Sequence, residues 1–120
     1  MIASPFVDDL SFEETSSLSI CRVHLDEILM FHAMSLKPKL LQYAARAGAH
    51  FVLDLSDVEY IDSSGIMLVV ATMKESTEHD SVFYLTGVQE AVRQSLAMTR
   101  VDTRLNIQES IDAVLHRIHS

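Results

Sequence analysis

Several things are scarce in this chain. Its 120 residues include one cysteine, two prolines and three glycines, and nine basic residues stand against seventeen acidic ones. A single thiol, Cys21, excludes an intramolecular disulfide, so a packed core has to hold the fold unaided. Its place in the apolar run Leu18–Val23 reads as a small buried side chain rather than a reactive one. Glycines at 48, 65 and 87 are too dispersed to build a phosphate-cradling loop of the P-loop or Rossmann kind, and no cofactor is expected. The formal charge of −8, with Lys and Arg scattered and never in a run, argues against nucleic acid as a partner. The purest apolar run, Ile66–Ala71, is far short of a membrane span. Met1–Phe12 holds two Asp and no Lys or Arg, the opposite of a secretory leader, so a cytoplasmic location is expected.

What is present suits one globular domain: 48% hydrophobic and 22% charged residues exclude a disordered chain. The stretch up to Ser17 carries Asp8, Asp9, Glu13 and Glu14 with no positive charge. It reads as an acidic, loosely ordered tail over residues 1–16, followed by a folded domain over 17–120. Phe6, Val7 and Phe12 leave room for a short added strand, but removal of residues 1–14 is expected to leave the fold intact.

Apolar stretches Leu18–His24 and Ile28–His32 flank Leu25-Asp26-Glu27 and read as two strands joined by a turn. Ser35 then looks like a helix N-cap, with Leu36, Leu40, Tyr43, Ala44 and Ala47 at helical spacing and Gly48 as the stop. His50–Leu55 suits a buried strand, Ser63 a cap for a helix to about Ser76, and Ser81–Thr86 another strand. Val88, Ala91, Val92, Ser95 and Leu96 trace one helical face; Thr103–Ile107 reads as a last strand before a helix marked by Ile111, Val114, Leu115 and Ile118. The order β-β-α-β-α-β-α-β-α implies an α/β domain with parallel crossovers and helices packed on the sheet.

The most informative stretch is Phe51–Val70, FVLDLSDVEYIDSSGIMLVV. A strand ends, a loop crosses with Val58 and Ile61 tucked inward, and Asp62-Ser63-Ser64-Gly65 opens a helix. Strand, spacing, tetrapeptide and helix together resemble the STAS domain of bacterial anti-sigma factor antagonists. The resemblance implies the STAS fold: a mixed β-sheet of four to five strands with about four helices packed on it. It further implies that Ser63 is phosphorylated by an anti-sigma factor serine kinase of the ATPase fold, that the unphosphorylated form binds that kinase and frees a sigma factor, and that a metal-dependent serine phosphatase resets the switch. Asp62, Ser64, Gly65, Ile66 and Met67 are the expected partner-binding residues. Two departures from the family pattern stand out: Met30-Phe31-His32-Ala33 occupies the place of a Gly-x-Leu/Phe-Asp step, and Met67 follows Ile66 where Gly is frequent.

Taken alone, Ser63 is explained by capping, which serine does well without regulation. Gly65 costs a helix up to ~1 kcal/mol relative to Ala; either a kinase or a neighbour in the sheet approaches its backbone. Ile66–Ala71 is apolar on every side, so Met67 and some of Leu68, Ala71 and Met73 are expected to face outward as a docking strip. His116 and His119 share a spacing but have no third ligand nearby, and a solvated helix end is the expected role. A serine-hydrolase elbow needs Gly on both sides, and Ile61 stands at the upstream position, so no enzyme activity is expected. The alternative function is a STAS subunit of a transport or other multiprotein regulatory assembly.

Overall fold

The structure is a computed structural model describing residues 9–15 and 18–119. A five-stranded sheet has the order β1-β2-β4-β6-β7, built from β1 (Leu10–Glu14), β2 (Ser19–Val23), β4 (His50–Asp54), β6 (Val82–Thr86) and β7 (Ile107–Gln108). β1 is antiparallel to β2 and the remaining pairs are parallel. Four α-helices alternate with the strands: α1 (Met30–Arg46), α2 (Ser63–Glu78), α3 (Glu90–Met98) and α4 (Ile111–His119). A separate parallel pair, β3 (Glu27–Ile28) with β5 (Tyr60–Ile61), lies at the entrance to α1 and α2. This is the mixed α/β architecture expected from the sequence.

Strand alternation divides the core in two. Cys21, Val23, Phe51, Leu53, Phe83 and Leu85 face α1, α2 and α3, meeting Leu36, Leu40, Ala44, Val69, Val92 and Leu96. The alternate positions Ile20, Val52 and Tyr84 turn to the other face, where Val114 of α4 covers them. The central strands are thus buried on both sides, which is why HFVLD reads as a continuous apolar run. Burial also pushes the Cys21 thiol up to about 12, so it stays protonated and inert.

Four expectations change. Leu18–His24 and Ile28–His32 do not form a hairpin; the chain leaves the sheet after Val23, and Ile28 pairs in parallel with Ile61. α1 starts at Met30, so Ser35 is an exposed residue inside the helix rather than its cap, and Pro38 lies in the interior. That proline withholds an N–H from the carbonyl four residues back. The helix continues because Ala33, Leu36, Leu40 and Ala44 bury one stripe across the break. Thr103–Ile107 is not one strand: Thr103 and Arg104 end a 3₁₀ turn (Val101–Arg104) entered through Arg100 at φ 61°, Leu105 is buried, and only Ile107–Gln108 extends the sheet. The final helix begins at Ile111, where the Ser110 hydroxyl accepts the Ala113 N–H at 3.1 Å.

The fourth change concerns the expected tail. Met1–Asp8, with Phe6 and Val7, lie outside the described residues, but Leu10–Glu14 form an edge strand. Leu10 is buried, and Phe12 stacks on Tyr43 with ring centroids 4.2 Å apart and planes 8° from parallel. The acidic side chains hold the strand down: Glu13 pairs with Arg22 at 3.1 Å and Glu14 with Arg46 at 3.6 Å. His24 accepts or donates to the Ser11 hydroxyl at 2.8 Å and reaches Asp57 at 3.3 Å, linking β1 to the loop after β4. Removing residues 1–14 should therefore lower stability by about 3 kcal/mol, the order expected for re-exposing one buried Leu and one stacked Phe. Urea unfolding of the truncated chain measures this, and an unchanged midpoint would show that β1 contributes nothing.

Candidate functional site

The loop leading to the Asp62-Ser63-Ser64-Gly65 motif is anchored at both ends. At its start, the buried Asp54 carboxylate accepts the Thr86 hydroxyl at 2.6 Å and also binds the Ser56 hydroxyl and, at 3.4 Å, its N–H. Gln89 donates to the Ser56 carbonyl at 2.8 Å. Gly87, at φ +67°, lies so close that a Cβ there would fall 2.9 Å from the Ser56 backbone. Further along, Leu55, Val58 and Ile61 are buried, as expected for the latter two. The Asp62 N–H closes onto the Ile28 carbonyl at 3.2 Å. A central sheet strand thus delivers the motif to a fixed place.

Within the motif the roles are redistributed. Asp62, not Ser63, is the N-cap of α2: its Oδ1 accepts the N–H groups of Ser64 and Gly65 at 2.9 and 3.1 Å. Its Oδ2 accepts the N–H of Met30 at 3.1 Å, across the gap to α1. A partner meeting this site finds a carboxylate already committed to three backbone donors. Ser63 occupies the first turn of α2, exposed, and among the described residues none hydrogen-bonds its hydroxyl. The capping explanation of Ser63 is thereby removed.

Gly65 and Ile66, expected at the partner surface, are buried. A Cβ on Gly65 would lie 2.8 Å from the Ile28 carbonyl oxygen and 2.9 Å from the Ile61 Cβ, so the close approach comes from β3 and β5. Leu68 is buried as well, and Ala71 and Met73 are half-buried. The all-round apolarity of α2 arises because it packs against the sheet on one side and α1 on another. Met67 alone of that strip stands clear of the core, and Ser64 beside it is half-buried.

Met67 has company that the sequence reading missed. Met30, Phe31, Met34 and Met67 are 61%, 66%, 70% and 70% exposed. Met30, Met34 and Met67, together with Lys37, Ser64 and Ala71, bound a groove of about 230 Å³ between α1 and α2, one turn from Ser63; Phe31 follows Met30 in the first turn of α1. Contiguous exposed apolar side chains of this kind mark interaction sites, and methionines suit a surface that must mould itself to a partner. The signal was available: once α1 begins at Met30, residues 30, 31 and 34 fall beside the buried stripe of Ala33, Leu36 and Leu40 rather than within it. The neighbouring β3–β5 rim carries exposed Asp26, Glu27, Asp57 and Glu59, so the apolar ridge is edged by negative charge.

Comparison with known proteins agrees with this geometry. A family model described as the STAS domain matches residues 11–114. An anti-sigma-B factor antagonist of Staphylococcus epidermidis is 30% identical over 66 residues, a match covering 54% of this chain and 61% of that protein. The crystal structure of an anti-sigma factor antagonist from Mycobacterium paratuberculosis superposes with a TM-score of 0.81 at 23% identity, covering 92% of this chain and 93% of the other. The Bacillus cell fate determinant SpoIIAA in its phosphorylated form gives a TM-score of 0.66 at 15% identity, covering 91% and 98%. Among the described residues, no helix is long and apolar enough to cross a membrane.

Proposed function

Because the chain belongs to the STAS domain family, we propose that it is an anti-sigma factor antagonist whose partner binding is switched by phosphorylation of Ser63. In this reading the unphosphorylated form binds a serine kinase of the ATPase fold that otherwise holds a sigma factor. The kinase transfers the γ-phosphoryl group of ATP to the Ser63 oxygen, the complex dissociates, and a metal-dependent serine phosphatase restores the hydroxyl by hydrolysis. The observation that carries the reading is an exposed serine hydroxyl released from capping by Asp62 and set beside an apolar ridge. A phosphate at that position is compatible with a folded domain, because the positive end of α2 favours negative charge there. The phosphorylated SpoIIAA structure adds that this fold is known to carry a phosphate.

Intact-mass measurement after incubation with the kinase and ATP tests the assignment. Wild type should gain one phosphate, and Ser63→Ala none while still binding the kinase. Phosphate on Ser64 would move the switch by one residue, and co-purification with a membrane permease instead of a kinase would favour the transport-assembly alternative.

Met67 tests the docking surface separately. Met67→Lys should change stability by no more than ~0.5 kcal/mol, since the side chain is exposed. Kinase affinity should fall at least roughly tenfold, because the ammonium would be desolvated without a partner. Calorimetric binding and thermal unfolding of the same variant give both numbers; an unchanged affinity in the folded variant would place the docking surface elsewhere.

A further inference from the structure

The Asp62 carboxylate points its two oxygens at different helices. Oδ1 accepts from Ser64 and Gly65 at the start of α2, and Oδ2 accepts from Met30 at the start of α1. Leu29, the N-cap residue of α1, has no side-chain acceptor to offer, so the first amide of that helix depends on Asp62. The residues of that first turn, Met30 and Phe31, with Met34 one turn on, form the α1 half of the apolar ridge. Ser63 is the chain neighbour of Asp62.

We propose that Asp62 couples the phosphorylation state of Ser63 to the order of the apolar ridge at the start of α1; the proposal rests on the reading of Ser63 as the phosphoacceptor. A phosphoserine at this position brings about −1.5 to −2 charge and three strong acceptor oxygens to the N–H groups that Oδ1 now occupies. Two anions cannot both hold the same few donors at one helix end. The carboxylate carries the smaller charge and gives way. Its displacement draws Oδ2 from the Met30 N–H, and the first turn of α1 frays. Phosphorylation thus acts twice on a partner: by charge at Ser63 and by loosening the ridge beside it. Simple blocking by charge would leave Met30 untouched, which separates the two mechanisms.

The chain made with phosphoserine installed at position 63 during translation provides the test, because it needs no kinase. Amide hydrogen exchange is read at Met30, with Ala113 at the start of α4, bonded to Ser110, as an unaffected reference. Met30 should exchange about tenfold faster or more in the phosphorylated chain, the change expected for losing a hydrogen bond to a charged acceptor. Asp62→Asn supplies the second arm. Its single acceptor oxygen can still cap α2, as asparagine does well, but its amide nitrogen cannot accept from Met30. The unmodified Asp62→Asn chain should therefore already show the fast Met30 exchange, and phosphoserine should add nothing further. Equal Met30 exchange in phosphorylated and unphosphorylated wild type overturns the proposal, and that comparison decides even if Asp62→Asn does not fold. Failure of a kinase to modify Ser63 would instead remove the functional reading and leave this coupling measurable.

Discussion

Gly65→Ala is expected to destabilise the domain by about 2 kcal/mol or more, although helix propensity alone predicts the opposite sign. On an exposed helix the exchange gains up to ~1 kcal/mol. Here the new methyl would stand 2.8 Å from the Ile28 carbonyl oxygen, 2.9 Å from the Ile61 Cβ and 3.3 Å from the Ile28 Cβ. None of these is the free end of a flexible chain. The Ile28 carbonyl accepts the Asp62 N–H, and both isoleucines are buried in the core. Relief requires α2 to lift off the β3–β5 pair, and overpacking of that kind costs typically 1–3 kcal/mol and occasionally more. At this chain length the thermal midpoint should fall by roughly 10 °C. Gly48→Ala is the internal control, since nothing lies within 4 Å of its Cβ. A midpoint for Gly65→Ala at or above that of Gly48→Ala would refute the packing argument.

Gly65 also shows which parts of the molecule are legible in the sequence. The motif and its order are local: a buried strand, a crossing loop and a helix start occupy Phe51–Val70 without interruption, so fold and site location can be read from residues alone. The partner that crowds Gly65 is not local, because Ile28 reaches it through a two-residue parallel pairing that no periodicity announces. The same holds for α1. Ile28–His32 reads as a strand because it is an unbroken apolar run, and it becomes a helix start where Asp62 supplies the missing cap from 32 residues away. β1 hides for an electrostatic reason. Glu13 and Glu14 look like a solvated acidic tail until Arg22 and Arg46 are brought opposite them. Within the motif, Asp and Ser are both good caps, and only the observed geometry assigns that role to Asp62 and leaves Ser63 spare.

Ser63→Glu is expected to weaken kinase binding by roughly 30- to 150-fold while leaving the domain folded, and the two halves of that expectation have opposite causes. In the free protein the new carboxylate sits in the first turn of α2, which among its own residues has no acidic side chain. Charge of that sign at a helix start contributes about 0.3–1 kcal/mol of stability, so the unfolding midpoint should hold or rise slightly. In the complex, a partner covering Met30, Phe31, Met34 and Met67 must also strip water from position 63, one turn away. Leaving a charge buried without an opposite partner costs about 3–5 kcal/mol; the helix end offsets part of it, and about 2–3 kcal/mol remains. At ~1.4 kcal/mol per decade that is the stated loss of affinity. Ser63→Gln separates charge from size, since it adds the same bulk without the anion and should keep most of the affinity. Titration calorimetry of the three chains against the kinase, with thermal unfolding alongside, reads both halves. Tight binding by Ser63→Glu, or an equal loss with Ser63→Gln, would show that charge at this serine is not what releases the partner.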